Sequence, residues 1–165
     1  MKYLFAPWRM DYIGKEKPKG CVFCQLPKFD CCAETLVVYK GTYAFIILNR
    51  YPYVSGHVMI VPYRHTADIS EITAPEWAEI NQLMVLTVKA LEQEYKPHGF
   101  NIGMNIGQAA GAGIADHVHL HVIPRWSGDA NFMTVACGTR VIPEDLVVTY
   151  DRMVKAIGSL QIQEG

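Results

Sequence analysis

The sequence predicts an α+β domain: a mainly antiparallel five-stranded sheet with one long helix and a second, C-terminal helix. Three observations carry this expectation. Short runs rich in Val, Ile, Tyr and Phe recur between Gly, Pro and Asn punctuation. One long stretch repeats its apolar residues at helical spacing. The elements read β-β-β-α-β-β-α, with strands outnumbering helices. At 165 residues a single domain spanning 1–165 is expected, burying roughly 70% of its unfolded surface without disulfide staples.

Taken in order, residues 1–33 read as an irregular, Pro- and Lys-containing lead-in that carries Cys21-Val22-Phe23-Cys24. Strands are expected at Thr35–Lys40, Tyr43–Asn49 and Gly56–Pro62, with Gly41 fitting a short hairpin between the first two. The long helix starts near Thr73, because Thr73-Ala74-Pro75-Glu76 is a capping box and Ile72 and Trp77 stand at hydrophobic-staple positions. Ile80, Leu83, Met84, Thr87, Val88, Leu91 and Tyr95 continue at helical spacing, and Pro97 and Gly99 end the run. Further strands are expected at Phe100–Asn105 and His117–Ile123. The second helix is expected over 143–160, with Glu144 and Asp145 at its positive end.

Fifteen Lys+Arg against sixteen Asp+Glu leave a formal charge of −1, which argues against a broad basic footprint and hence against long nucleic acid as a partner. The N-terminal apolar stretch is broken at Pro7, Arg9 and Asp11, too soon for a signal-peptide core. The uncharged run from His98 to Ala115 carries five glycines with Asn101, Asn105 and Gln108, so a strand and a loop are expected there and no membrane span. Five cysteines are an odd number beside no export signal. Reduced thiols and a cytoplasmic location are the expectation.

The chemistry concentrates in His117-Val118-His119-Leu120-His121-Val122-Ile123. On a strand the three imidazoles share one face, with rings about 6–7 Å apart. Such a row is open to three readings: a polar exposed face, a metal site using His-x-His, or covalent catalysis by one imidazole that its neighbours orient. Two neighbours bear on the choice. The glycine-rich stretch from Asn105 to Asp116 leads into the row and can offer backbone N–H groups to a phosphate, or can simply turn tightly. His57 can join the row from a neighbouring strand, and His65 lies just past that strand's end, although a lone histidine is usually structural. Cys21 and Cys24, taken alone, fit zinc, redox or chance; a thioredoxin-like pair would open a helix after a strand, which nothing around Cys21 suggests.

Together these residues resemble the histidine-triad (HIT) nucleotide hydrolases and transferases. Asn49-Arg-Tyr-Pro-Tyr-Val-Ser-Gly-His57-Val-Met-Ile-Val-Pro62 is similar to the family's second and third strands. Trp8-Arg-Met-Asp-Tyr-Ile13 and Pro124-Arg-Trp-Ser-Gly-Asp-Ala-Asn-Phe-Met133 resemble the branch of diadenosine tetraphosphate phosphorylases and hydrolases. The resemblance implies a HIT-like fold and a set of roles. His119 is then the nucleophile that forms a nucleotidyl-histidine at the α-phosphorus, with its other nitrogen bonded to the carbonyl of His117. His121 contacts phosphate, and His57 completes the row. Asn49 matches the ribose position and Asn105 a position near the phosphates, while the amides around Gly113 and Ile114 hold phosphate oxygens. Val22, Phe23, Leu26 and Ile47 fit the apolar slot for the base. In zinc-bearing relatives the positions of Cys21, Cys24, His65 and His117 form a structural zinc knuckle.

The resemblance also implies cleavage of dinucleoside polyphosphates and a homodimer with the long helix at its interface. Gly113 departs from the small hydroxyl residue that the phosphorylase branch carries there, so hydrolysis stands beside phosphorolysis. Adenosine phosphoramidase activity and a non-catalytic nucleotide sensor are the rival readings. A metal-dependent hydrolase using the triad as ligands lacks an obvious carboxylate partner.

Overall fold

A computed structural model describes residues 20–129, 142 and 144–164. The segments Trp8–Ile13 and 130–133, Pro143 and Cys137 lie outside the described residues. Five strands form one sheet, β1 (Val37–Lys40), β2 (Ala44–Leu48), β3 (Val58–Pro62), β4 (Gly99–Gly103) and β5 (Leu120–Arg125), in the order β1-β2-β3-β5-β4. Every neighbouring pair is antiparallel, as the residue pattern predicts. Among the described residues, three α-helices accompany them: α1 (Val22–Gln25), α2 (Ala74–Tyr95) and α3 (Leu146–Glu164).

The apolar runs explain which strands are central. All residues of β2 and β3 are buried, whereas β4 closes one edge with Asn101, Ile102 and Gly103 exposed. Helix α2 packs over β2, β3 and β5 through Ile80, Leu83, Thr87, Ala90 and Leu91, which recur on one face. Its start is fastened as the capping-box motif predicts. The Glu76 carboxylate accepts from the Thr73 amide and hydroxyl, each at 2.7 Å, and pairs with Arg64 at 2.9 Å.

Several boundaries differ from the sequence expectation, each for a local reason. Strand β1 begins at Val37 because Leu36 adopts φ 62, outside strand geometry. Helix α2, by contrast, ends at Tyr95 where the sequence places its last helical residue, with Lys96 taking the left-handed capping conformation. Helix α3 starts at Leu146, later than 143, because Asp145 is its N-cap: the Asp145 carboxylate accepts from the Val147 amide at 2.8 Å. Glu144 is left outside the helix, where it takes bonds from Tyr95, Thr149 and Arg152 and ties the end of α2 to the start of α3. Burial and then this carboxylate push the Tyr95 hydroxyl up to about 12.

The largest correction concerns His117–Ile123. Strand β5 begins only at Leu120; His117 lies in a bend, and Val118 and His119 form an irregular lead-in. Pro62 has no N–H with which to carry the β3 ladder onward. The lead-in bonds instead to the segment beyond β3, with the Val118 amide on the Thr66 carbonyl at 2.8 Å. Residues 20–33 are also more regular than expected, since Cys21 is the N-cap of α1 and a 3-10 turn follows at Leu26–Lys28.

Candidate active site

The sheet register gathers the imidazoles. Met59 lies opposite His121, and Ile47 lies opposite Met59, so these three side chains share one face. His57, two residues before Met59, falls on the same face and meets His121 diagonally, with ring centroids 5.0 Å apart. Gly56, just before His57, has φ 77, and a Cβ there would come within 3.0 Å of Leu91 and 3.3 Å of Pro124, so the chain can turn there only as glycine.

Hydrogen-bond partners assign a proton to each ring. His119 Nδ1–H donates to the His117 carbonyl at 2.8 Å, which leaves the lone pair on Nε2. At His57 the Tyr53 amide donates to Nδ1 at 3.2 Å, so His57 carries its proton on Nε2. His57 Nε2–H donates to His121 Nδ1, the two nitrogens 2.9 Å apart, and His121 is therefore the Nε2–H tautomer. The Asn49 carboxamide lies against His57, with Nδ2 at 3.4 and 3.5 Å from the two ring nitrogens. Such near-equal distances place it over the ring face. Its Oδ1 accepts the Tyr51 amide at 2.9 Å.

All four of these histidines are buried: His57 is 1% exposed, His117 0%, His119 5% and His121 8%. Burial holds each imidazole below its ordinary range. Burial and the neighbouring imidazoles bring His57 down to about 3 and His121 to about 4. The rings are thus neutral at pH 7, one with a free lone pair and one with a free N–H. The His119 and His121 centroids are 4.8 Å apart, closer than the 6–7 Å of a regular row, because His119 precedes the strand and its ring stands at 74° to its neighbour.

A second cluster adjoins the first. Cys21, Cys24, His65 and His117 bring one donor atom each to within 4.8 Å of one another. The pair Cys21 Sγ and His117 Nδ1 is 3.3 Å apart, Cys24 Sγ and His65 Nδ1 3.4 Å, Cys24 Sγ and His117 Nδ1 3.7 Å, and the two Nδ1 atoms 3.3 Å. Tetrahedral zinc with its usual bond lengths has ligand–ligand edges of about 3.3–3.8 Å. His117 Nε2–H donates to the Pro62 carbonyl at 2.8 Å, leaving Nδ1 as the lone-pair atom that faces the cluster. The donor set, spacing and tautomer all fit zinc. The pair does open a helix, unlike the sequence expectation, but it faces two imidazoles, which a thioredoxin-like pair does not need.

Helix α1 joins the two clusters. Phe23, between the two cysteines, is 3% exposed, with its ring centroid 5.0 Å from His119 and 5.5 Å from His117. Ile47 is buried in β2, while Val22 and Leu26 are partly buried against the core. Asn105 and Ile114 are half-buried on the loop before His117, and Gly113 is exposed with open space where a Cβ would lie. Asn105, Gly113 and Ile114 make no hydrogen bond to the imidazoles among the described residues. The sequence reading missed Tyr53, whose ring lies 4.7 Å from His57 and 6.4 Å from His121. A loop aromatic carries no periodic signal; only its place four residues before His57 could have marked it.

Fold and site together define a class: an α+β domain presenting neutral imidazoles of opposite proton order beside a Cys₂His₂ metal-type cluster. The family model "HIT domain" matches residues 32–128. The chain belongs to the HIT domain family. An AP-4-A phosphorylase of Mycobacterium tuberculosis is 38% identical over 153 residues, covering 87% of this chain and 78% of the relative. A bis(5'-adenosyl)-triphosphatase of Saccharomyces cerevisiae is 35% identical over 91 residues, covering 54% of this chain and 44% of the relative. Among solved structures, a zinc-bound histidine triad family protein from Mycobacterium smegmatis superimposes with a TM-score of 0.70 at 27% identity, covering 87% of this chain and 97% of that one.

Proposed function

We propose that this chain is a nucleotidyl hydrolase or transferase that cleaves dinucleoside polyphosphates at the α-phosphate through a covalent nucleotidyl-His119. The observation that carries the reading is the bond from His119 Nδ1–H to the His117 carbonyl, which leaves Nε2 as a buried lone pair. In the first step Nε2 attacks the α-phosphorus, forming a P–N bond while the bond to the departing phosphate oxygen breaks. The Nε2–H of His121 donates to an oxygen of the phosphate chain as negative charge shifts onto it. Water or inorganic phosphate then attacks the same phosphorus, breaks the P–N bond and returns the electron pair to His119. Asn49 serves the ribose, Asn105 and the amides of Gly113 and Ile114 serve the phosphates, and Phe23 and Ile47 wall the base. The names of the phosphorylase and triphosphatase relatives support this substrate class.

The test is turnover of diadenosine tetraphosphate with and without inorganic phosphate, with products identified. AMP plus ATP reports hydrolysis, and ADP plus ATP reports phosphorolysis. No cleavage, with adenosine phosphoramidate also left intact, overturns the enzymatic reading in favour of a nucleotide sensor.

Zinc belongs to the same reading. Cys21, Cys24, His65 and His117 would hold it as a structural ion that fastens residues 20–33 to the sheet; a closed four-ligand site has no open position for chemistry. A homodimer across α2 also belongs to it, supported by Val85, 48% exposed beside Leu86 on the outer face of that helix. Sedimentation at micromolar concentration tests the dimer. No described helix is long and apolar enough to cross a membrane. The free Cys21, Cys24, Cys31 and Cys32 thiols suit a reducing compartment such as the cytoplasm.

A further inference from the structure

The geometry points to Tyr53 as a positioning residue that sets the proton order of the His57–His121 pair from the β2–β3 connection. This rests on the proposed use of His121 Nε2–H at the phosphate. A histidine pair joined nitrogen to nitrogen has two proton orders, and only one of them leaves His121 with an outward-facing donor. The distance of 2.9 Å between His57 Nε2 and His121 Nδ1 is the same in both orders. Something outside the pair must choose.

The Tyr53 backbone makes the choice. The Tyr53 amide, 3.2 Å from His57 Nδ1, can only donate, so that nitrogen must hold a lone pair. The Tyr53 side chain holds its own backbone in place. Its ring lies against His57 at 4.7 Å and 36°, and reaches His121 at 6.4 Å and 35°. Tyr53 is 45% exposed while His57 beneath it is 1% exposed, so its ring is the layer between the pair and solvent. The groups facing His57 are Asn49 and Tyr53 from the β2–β3 connection and His119 and His121 from the β5 segment. None of them carries a formal charge when the rings are neutral, so no ion competes with the amide in setting the order.

Removing the ring frees the turn and admits water to His57 Nδ1. Water can accept as well as donate, so the reversed order becomes accessible and His121 loses its donor in part of the population. Binding of the nucleotide, which other residues perform, is spared.

The experiment reads tautomers by nitrogen-15 NMR of the imidazoles in the wild-type protein, Tyr53→Ala and Tyr53→Phe, alongside steady-state kinetics on diadenosine tetraphosphate. In the wild type, both His57 and His121 are expected as Nε2–H. Tyr53→Ala is expected to show mixed tautomers and a kcat lower by on the order of tenfold, with KM within about twofold. Tyr53→Phe is expected to recover both, since the ring and the amide carry the effect. A wild-type His57 with its proton on Nδ1 overturns the inference without any variant. So does Tyr53→Ala with unchanged tautomers and kcat, or Tyr53→Phe as defective as Tyr53→Ala. A wild-type protein that cleaves nothing fails the functional reading instead, and the tautomer measurements still score Tyr53.

Discussion

His119 and His121 stand 4.8 Å apart, ring planes at 74°, and carry their protons on opposite nitrogens. The His117 carbonyl holds one proton on Nδ1, while the Tyr53–His57 chain leaves the other on Nε2. A lone pair and an N–H donor thus sit side by side on two residues of the same type.

His119→Ala removes the lone pair and leaves the donor, the base-facing Phe23 and the metal-type cluster in place. Turnover of diadenosine tetraphosphate is expected to fall by about 10³-fold or more. Affinity for AMP, measured by calorimetry, is expected to stay within about threefold, because attack and binding use different groups. Full activity in this variant would sink the covalent mechanism.

The buried neutral imidazoles make stability depend on pH. His57 is held at about 3 and His121 at about 4, against an ordinary value near 6.5. Between those limits the unfolded chain binds protons that the folded chain does not, so stability falls as pH drops. The contribution is fully present above about pH 6.5 and is lost progressively toward the folded values. Each histidine adds a slope of up to about 1.4 kcal/mol per pH unit. Urea midpoints are expected to decline from pH 7 to pH 5, and His57→Gln to flatten the decline. A midpoint that does not change over that range contradicts the burial argument.

Much of this was legible in the residues. The strand runs, the capping box at Thr73 and the alternation of His117, His119 and His121 are local signals, and local physics decided them. The start of β5 was not, because it depends on Pro62, far earlier in the chain, failing to extend a ladder. The register that brings Ile47, Met59 and His121 onto one face is likewise a long-range product of pairing. The Cys₂His₂ set followed from family likeness, and its donor spacing only from the fold. Tyr53 was invisible because its amide, which any residue would supply, does half of its work.

The metal-type cluster makes a prediction separate from catalysis. Protein prepared in zinc-replete medium is expected to hold one zinc per chain by elemental analysis. Cys21→Ser is expected to lose it, and His119→Ala to retain it. Because α1 presses Phe23 against His119, the Cys21→Ser protein is also expected to melt at lower temperature than the wild type. A wild-type protein without zinc, or a serine variant with a full complement, counts against the site.

A last prediction concerns the far side of the sheet. The half-buried Glu79 of α2 reaches the turn between β1 and β2, where its carboxylate accepts from three consecutive amides: Thr42 at 2.8 Å, Ala44 at 2.7 Å, and Tyr43 between them. Gly41 leaves room for it, since a Cβ there would stand 2.8 Å from both Glu79 Oε1 and the Ala44 carbonyl. A carboxylate can accept at both oxygens, whereas a carboxamide must turn an NH₂ group toward one of the amides. Glu79→Gln is therefore expected to cost about 1–3 kcal/mol of stability by urea unfolding. The hairpin lies beyond β3 from the β5 imidazoles, so turnover per folded molecule should not change. A glutamine variant as stable as the wild type would show that the three amides find water equally well, and that the carboxylate is not what fixes the hairpin to the helix.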